Sequence, residues 1–363
     1  MVVISVFVGD AERRRQLGGR GLDEKEVAEL IKRDRDGGEH GQATTRTFEL
    51  GDLFVDASLG REHASKEVQR FLDLVFGSPL VTPTRHEHAM FLAFSASLRS
   101  GDLSRQVGAV VATSRGAIVG EGANDAPRFG GGQYWPKEGH DFRDIAKGYD
   151  SNETIKDQMI RKLANLPPFE SLGEAAFESA RGALKQAGFL EITEFGRAVH
   201  AEMAALMSCA RLGVSTRERL LYCTTFPCHN CAKHIVAAGI STVYFIEPYP
   251  KSRAFELHPD SVGEEGSTGK VIFRPFIGVG PRRYVELFAL RDPSSRGVRR
   301  KGSDGRRVTW RRASSRPALP DQQDTYLERE TRVLTRVAAR LEAAPTVAAT
   351  NPTEVPEMIP ESR

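Results

Sequence analysis

The sequence predicts an α/β fold, and two patterns carry the expectation. Over residues 199–246 the hydrophobic period alternates: 199–212 has helical spacing, 220–225 (LLYCTT) is a strand, 228–238 a helix and 242–246 another strand. That order is the signature of βαβ units on a sheet. Just upstream, the β-branched runs 107–112 and 117–119 flank Ser114-Arg115-Gly116, which reads as a hairpin.

Other elements follow in chain order. Residues 2–8 (VVISVFV) have the short, β-branched, apolar character of a buried strand, and 23–33 has acidic helical spacing. Residues 49–55 and the amphipathic stretch 67–76 lead into Gly77-Ser78-Pro79. That turn cluster is expected to close a first unit at about residue 80. A one-sided stripe of Met90, Phe91, Phe94 and Leu98 marks a helix over 85–100. Residues 125–195 hold Gly130-Gly131-Gly132 and several polar helical stretches, an insertion too long to be a simple loop. Leu327, Leu334 and Leu341 recur among charges in 321–344, an amphipathic helix expected to pack on the body, whereas 345–363 is rich in Pro, Thr and Glu and is expected to be disordered.

Composition narrows the function classes. With 363 residues, two domains are the natural expectation, and 51 Lys and Arg against 48 Asp and Glu give a net charge of only +3. An excess that small does not mark a protein that coats nucleic acid. Residues 1–9 are too short and too weakly basic for a signal peptide, and no apolar stretch suffices to cross a bilayer. A cytoplasmic address and no membrane partner are therefore expected. Four cysteines are too few for a disulfide framework, and two of them stand as Cys228-x-x-Cys231, the spacing of a metal site.

The strongest chemical signal is His200-Ala201-Glu202, followed after a strand by Pro227-Cys228-His229-Asn230-Cys231. This is the His-x-Glu and Pro-Cys-x-x-Cys signature of zinc deaminases. His200, Cys228 and Cys231 give zinc three protein ligands and leave a fourth tetrahedral position for water, as a catalytic site requires. Zinc lowers the pKa of a bound water to about 7, and Glu202, in the first turn of the helix that His200 opens, is placed to carry protons. The competing readings are a structural zinc knuckle and a metal-free redox pair. They lack a fourth ligand in register, since His229 lies between the two cysteines and His234 is expected to face outward. Cys209 and Cys223 read as small buried hydrophobes.

At these residues the chain resembles the cytidine and deoxycytidylate deaminase superfamily. The resemblance is greater to the anti-phage deoxycytidine nucleotide deaminases that carry an amino-terminal kinase-like domain. It extends through Ser104-Arg105-Gln106-Val107-Gly108-Ala109, Gly122-Ala123-Asn124-Asp125-Ala126-Pro127, Gly130-Gly131-Gly132-Gln133-Tyr134-Trp135, residues 199–203 and Tyr249-Pro250-Lys251-Ser252. It implies a cytidine-deaminase-like three-layer α/β/α sandwich over 81–290, a zinc cofactor and a homo-oligomer; the residues beyond it, 291–344, are read from their own pattern as a basic hairpin and a helix. It further implies hydrolytic conversion of dCMP or dCTP to the uracil nucleotide and ammonia, draining deoxycytidine nucleotides in defence against phage. Asn124 is then the ribose contact, although a turn asparagine is the plainer alternative. Arg105, Lys251, Ser252 and Tyr249 are candidates for the substrate's phosphate end, each of the cations being open also to a role as a solvated surface charge. One departure is Ala204, where many deoxycytidylate deaminases have Asn, so no base contact is inferred there.

Residues 1–80 resemble only the second half of the kinase-like domain, through Arg33-Asp34, Gly41-Gln42 and residues 47–52. No G-x-x-x-x-G-K-[ST] phosphate loop occurs, and Gly266–Lys270 (GSTGK) is too short to serve. The region is expected to be a partial P-loop-kinase-like unit without kinase activity, in a shortened relative or in a chain whose start was assigned downstream of the true one.

A basic stretch leaves a second function class open. Arg299, Arg300, Lys301, Arg306, Arg307, Arg311 and Arg312 surround Trp310, which suits RNA or single-stranded DNA. The sequence thus also admits a cytidine or adenosine deaminase acting on a polymer, or an inhibitory RNA bound to a nucleotide deaminase. A third reading is a zinc-stabilised binding module without turnover. A solvated hairpin anchored by Trp310 is the favoured account of the stretch, given the small net charge.

Overall fold

The short runs near the start and the buried runs from residue 108 onward become two separate sheets. In the first, β1 (Ile4–Phe7) pairs in parallel with β2 (Leu53–Asp56), and β9 (Gly278–Val279) adds antiparallel to β2. The second holds β3 (Gly108–Ala112), β4 (Ile118–Ala123), β5 (Leu220–Thr225), β6 (Thr242–Glu247), β7 (Val262–Gly263) and β8 (Val271–Pro275), in the spatial order β4-β3-β5-β6-β8-β7. The structure is a computed structural model and describes residues 2–36, 47–137, 139–167, 173–249, 251–290, 299–315, 317, 330–331 and 333–337. Val2–Leu319 form one compact unit. Pro320–Arg363 fall in another, whose described residues are helical. The expected tail over 345–363 lies outside the described residues. No helix among them is long and apolar enough to cross a membrane.

The described helices are α1 (Asp10–Gly18), α2 (Glu24–Asp36), α3 (Arg61–Val75), α4 (Arg85–Ser97), α5 (Asp144–Lys147), α6 (Ser151–Ala164), α7 (Gly173–Gln186), α8 (Ala201–Arg211), α9 (His229–Ala237), α10 (Ala254–Leu257) and α11 (Tyr284–Phe288). Side chains alternate between the faces of a strand, and β3 shows how this layers the molecule. Ala109 and Val111 join a core with Ala201, Ala205, Leu206, Ala232 and Ile235 of α8 and α9, while Val110 and Ala112 join another with Ala89, Met90 and Ala93 of α4. Helices thus cover both faces. Strands β5 and β6 are parallel neighbours joined through α9, as the βαβ pattern predicts. The β3–β4 hairpin is antiparallel, and Gly116 takes φ +92 in its turn.

Three sequence expectations need correction. Residues 2–8 form an edge strand rather than a buried one. Ser5 turns inward, whereas Val2, Ile4 and Val6 are exposed, because β1 pairs only with β2. Helix α4 seats only Met90 of the stripe fully in the core. Its buried side is Glu87, Ala89, Met90, Ala93 and Ser97, Leu98 is 59% exposed, and Phe91 stacks on Tyr284 with centroids 4.2 Å apart. The turn at Gly77-Ser78-Pro79 is no break in packing. Strand β2 draws β9 from the far end of the chain, and the fully buried Glu87 carboxylate accepts bonds from Arg70 Nη1 and Nη2, Thr84 N and Val279 N. One carboxylate therefore ties α3, α4 and β9 together.

The insertion supplies α5, α6 and α7, with the Arg161 guanidinium 4.3 Å from the Phe177 ring centroid. The basic stretch forms a small hairpin with Lys301 opposite Arg307; Arg312, bonded to Asp73 and Gln69, holds it to α3, and Arg300, bonded to Pro79 O, holds it to the turn that follows. Charged side chains thus contribute to anchoring the stretch, and Trp310 within it is half-buried.

Helix α8 lies on β4 at backbone distance. A Cβ added to Gly122 would stand 2.4 Å from Ala205 N and 2.6 Å from Ala201 O, and one on Gly120 would stand 2.5 Å from Cys209 Sγ. Neither obstacle at Gly122 is a flexible side-chain end, so the helix or the strand must move. Gly122→Ala is expected to cost about 3 kcal/mol and to lower the melting temperature by roughly 5 °C or more. Gly182→Ala, on an exposed turn of α7 with nothing within 4 Å, is expected to be neutral or to stabilise by up to ~1 kcal/mol. Equal melting temperatures for the two variants would refute the close-approach account.

Candidate active site

The C-terminal ends of parallel strands are where open α/β sheets place ligands, and the chemistry-bearing residues gather there. Strand β5 ends at Thr225, and Phe226-Pro227 then carry the chain to Cys228, the N-cap of α9. Cys231 lies in the first turn of that helix, and its N–H donates to Cys228 Sγ at 3.4 Å. His200 is the N-cap of α8, and Glu202 stands in its first turn. His200 Nδ1 lies 3.4 Å from Cys228 Sγ and 3.3 Å from Cys231 Sγ, and the three donor atoms fall within 4.8 Å of one another. All three ligands thus begin helices, as expected.

The donor set fits zinc. One imidazole nitrogen and two sulfurs converge without a fourth protein donor among the described residues. The Cys228 thiol is held down to about 4, chiefly by its hydrogen bond with Cys231 and then by His200, against the opposing effect of burial. The same contact with Cys228 raises His200 to about 9. A thiolate at Cys228 is therefore favoured by the protein itself. Glu202 is 4% exposed, and burial raises its carboxyl above the ordinary range. His234 is exposed, as expected, and neither it nor His229 joins the ligand cluster. Cys223 and Cys209 are buried, with thiols raised by that burial.

A cavity of about 240 Å³ opens above the cluster, with His200, Glu202 and Cys228 in its wall. Of the expected substrate contacts, it brings together Asn124, Arg105 and Tyr249. Asn124 is 7% exposed; its Oδ1 accepts from Val107 N at 2.7 Å and its Nδ2 donates to Arg105 O at 2.8 Å. It therefore fixes the 105–107 backbone as well as facing the cavity. Arg105 donates to Glu247 Oε1 at 2.7 Å, with its guanidinium 5.8 Å from the Tyr249 ring centroid. Lys251 and Ser252 lie outside the cavity wall. The Ser252 hydroxyl donates to Pro227 O at 2.8 Å and so braces the loop that carries Cys228.

Sequence reasoning missed the other side of the cavity. Asp144 and Asn152 reach it from the insertion, and Arg197 from the strand-like arm before α8. Arg197 could have been found by its position, three residues before His200. The insertion's polar composition singles out neither of the other two.

Residues 83–247 match the family model of the cytidine and deoxycytidylate deaminase zinc-binding region. The ComE operon protein 2 of Bacillus subtilis (strain 168) is 47% identical over 53 residues, which are 15% of this chain and 28% of that protein. The chain thus spans under a third of that relative's length. The deoxycytidylate deaminase of Pongo abelii is 27% identical over 199 residues, covering 55% of this chain and 79% of that one. Among solved structures, the dCMP deaminase from cyanophage S-TIM5 in apo form aligns with a TM-score of 0.31 at 19% identity, covering 54% of this chain and 99% of that one.

Zinc is the ion this His–Cys–Cys set fits, so protein purified without chelator is expected to carry it in stoichiometric amount by plasma mass spectrometry. Cys228→Ser and His200→Ala should lose it, while Glu202→Gln should keep it. Full zinc content in Cys228→Ser protein would show that the ion is held elsewhere.

Proposed function

We propose that the chain is a zinc-dependent hydrolytic deaminase of deoxycytidine nucleotides, dCMP and dCTP, converting them with water to the uracil nucleotide and ammonia. The observation that carries the reading is a buried carboxylate, Glu202, two residues from His200 and facing the same cavity as His200 and Cys228 of the three-residue cluster that Cys231 completes. The zinc ion, held by those three residues, supplies a Lewis acid that makes water nucleophilic at neutral pH. Glu202 takes a proton from the water and returns it to the ring nitrogen, and the second proton leaves on the amine as ammonia. Its burial keeps bulk water from competing for those protons. Asn124 presents the rim against which the sugar lies, and the Arg105–Tyr249 contact closes one side of the entrance.

The choice of a nucleotide is supported by the deoxycytidylate deaminases that the chain resembles, whose names specify the substrate. A homo-oligomer and a role in draining deoxycytidine nucleotides during phage infection belong to the same reading. Their support is the resemblance to anti-phage deaminases through the segments around Asn124, Gly130 and Lys251. An oligonucleotide substrate gains less support, because Arg300 and Arg312 of the basic stretch are engaged with the body of the protein.

Chromatography of reactions containing dCMP, dCTP, CMP and cytosine-bearing oligonucleotides tests the reading. Uracil products are expected from the two deoxynucleotides, and Glu202→Gln should lower kcat by about 100-fold or more while zinc is retained. Turnover confined to oligonucleotides would overturn the substrate assignment, and undiminished kcat in the Glu202 variant would overturn the proton-transfer role.

A further inference from the structure

We propose that Arg197 is the guanidinium that receives the nucleotide's phosphate, so that the site selects nucleotides over nucleosides; the assignment rests on the deaminase reading above. The argument is one of charge matching around the cavity. Its wall carries Asp102, Asp125, Asp144 and Asp150 besides Glu202, a lining that at first sight repels an anion. Each of the four aspartates is already committed within its own neighbourhood. Asp102 accepts from Ser104 N and Arg105 N. Asp125 accepts from Gly101 N, Ala126 N and the buried Arg143. Asp144 is bonded to Ser151 and Lys147, and Asp150 caps α6 through Glu153 N.

The cations differ in the same respect. Arg105 is matched by Glu247, whose other oxygen accepts from Thr225 Oγ1 at 2.8 Å, so its charge is spent in the wall. Arg197 lines the same cavity, is exposed, and has no hydrogen-bond or ion-pair partner among the described residues. It is the cation of this wall whose charge the described residues leave unmatched. A planar guanidinium in that state is suited to bidentate contact with phosphate oxygens.

The arm that bears it is built to hold it in place. Asn152, near the start of α6, donates through Nδ2 to Ile192 O at 2.9 Å and accepts from Phe195 N at 3.3 Å. Gly196 N bonds Thr193 O, and Val199 N bonds Asp125 O, the latter within a short antiparallel bridge. The backbone is thereby fixed on both sides of Arg197 while its side chain stays free. Arg197 stands three residues before His200, a chain span of at most about 11 Å. Base and phosphate can then be engaged at the two ends of one short segment. The insertion contributes to selectivity by clamping this arm.

Steady-state kinetics and titration calorimetry test the assignment. Arg197→Ala should raise KM for dCMP and dCTP on the order of 100-fold, with kcat changed by a small factor and kcat/KM for deoxycytidine unaltered. Arg197→Lys should restore part of the loss. In the zinc-loaded Glu202→Gln background, dUMP should bind and lose affinity by a similar factor on Arg197→Ala, whereas deoxyuridine binding should not change. Equal dUMP affinity with and without Arg197, absence of dUMP binding in the Glu202→Gln protein, or equal losses for dUMP and deoxyuridine would each overturn the proposal. If the wild-type protein deaminates no deoxycytidine nucleotide, the deaminase reading falls, and the dUMP titration still decides the role of Arg197.

Discussion

The close seat of α8 on β4 is the constraint from which the site follows. Gly120 and Gly122 leave no side chain between strand and helix, and Ala201, Ala205 and Cys209 present a narrow face in return. A helix lowered to this depth brings its first residues level with the strand end at Ala123, where Asn124 begins. His200 and Glu202 therefore meet the cavity from one side while Cys228 meets it from the next strand over. Core packing of this density resists small displacements. A set of donor atoms that must lie within a few ångströms of each other benefits directly from that stiffness.

A second coupling runs through Glu87. A carboxylate with no exposed side-chain surface is costly unless all its lone pairs are used. Here Arg70 meets it bidentately, and Thr84 N and Val279 N occupy the remaining directions. Removing any one partner would leave a buried charge undercompensated. The small sheet and the main sheet are thus joined by satisfied polar groups as well as by the apolar contacts of Phe54 with Ala89, Met90 and Phe276. Residues before 80 consequently share their core with residues beyond 270. A turn-rich tripeptide such as Gly77-Ser78-Pro79 marks where the chain changes direction, which is a different matter from where packing stops.

What was legible in the sequence was what local spacing encodes. The two halves of the ligand set, the βαβ alternation and the β3–β4 hairpin each depend on residues near one another in the chain, and each stands where its pattern put it. Burial of a whole strand face depends instead on distant neighbours, so 2–8 looked central by composition while lying at an edge. Helix α4 shows the same limit. Its large residues suggested the core side, but close helix–strand approach favours Ala89 and Ala93, and Phe91 finds Tyr284 from residues 284–288. Strand β9 is only Gly278–Val279, too short to leave a period. Lys251 and Ser252 illustrate why adjacency to a motif does not place a side chain in a cavity: the Ser252 hydroxyl is used behind the metal loop instead.

The acidic wall of the cavity is then understandable as scaffolding. Loops that lack ladder hydrogen bonds must satisfy their backbone N–H groups some other way, and short carboxylates do this well in turns and at helix starts. Asp102, Asp125 and Asp150 each accept from backbone N–H groups, and Asp125 and Asp144 also neutralise Arg143 and Lys147. Their charges are absorbed where they stand, which fixes the rim without setting the sign of the field over the cavity. That sign is left to the other charged groups that face the cavity. At the metal end they are His200, Cys228 and Glu202; at the open end the arm of Arg197 contributes a cation.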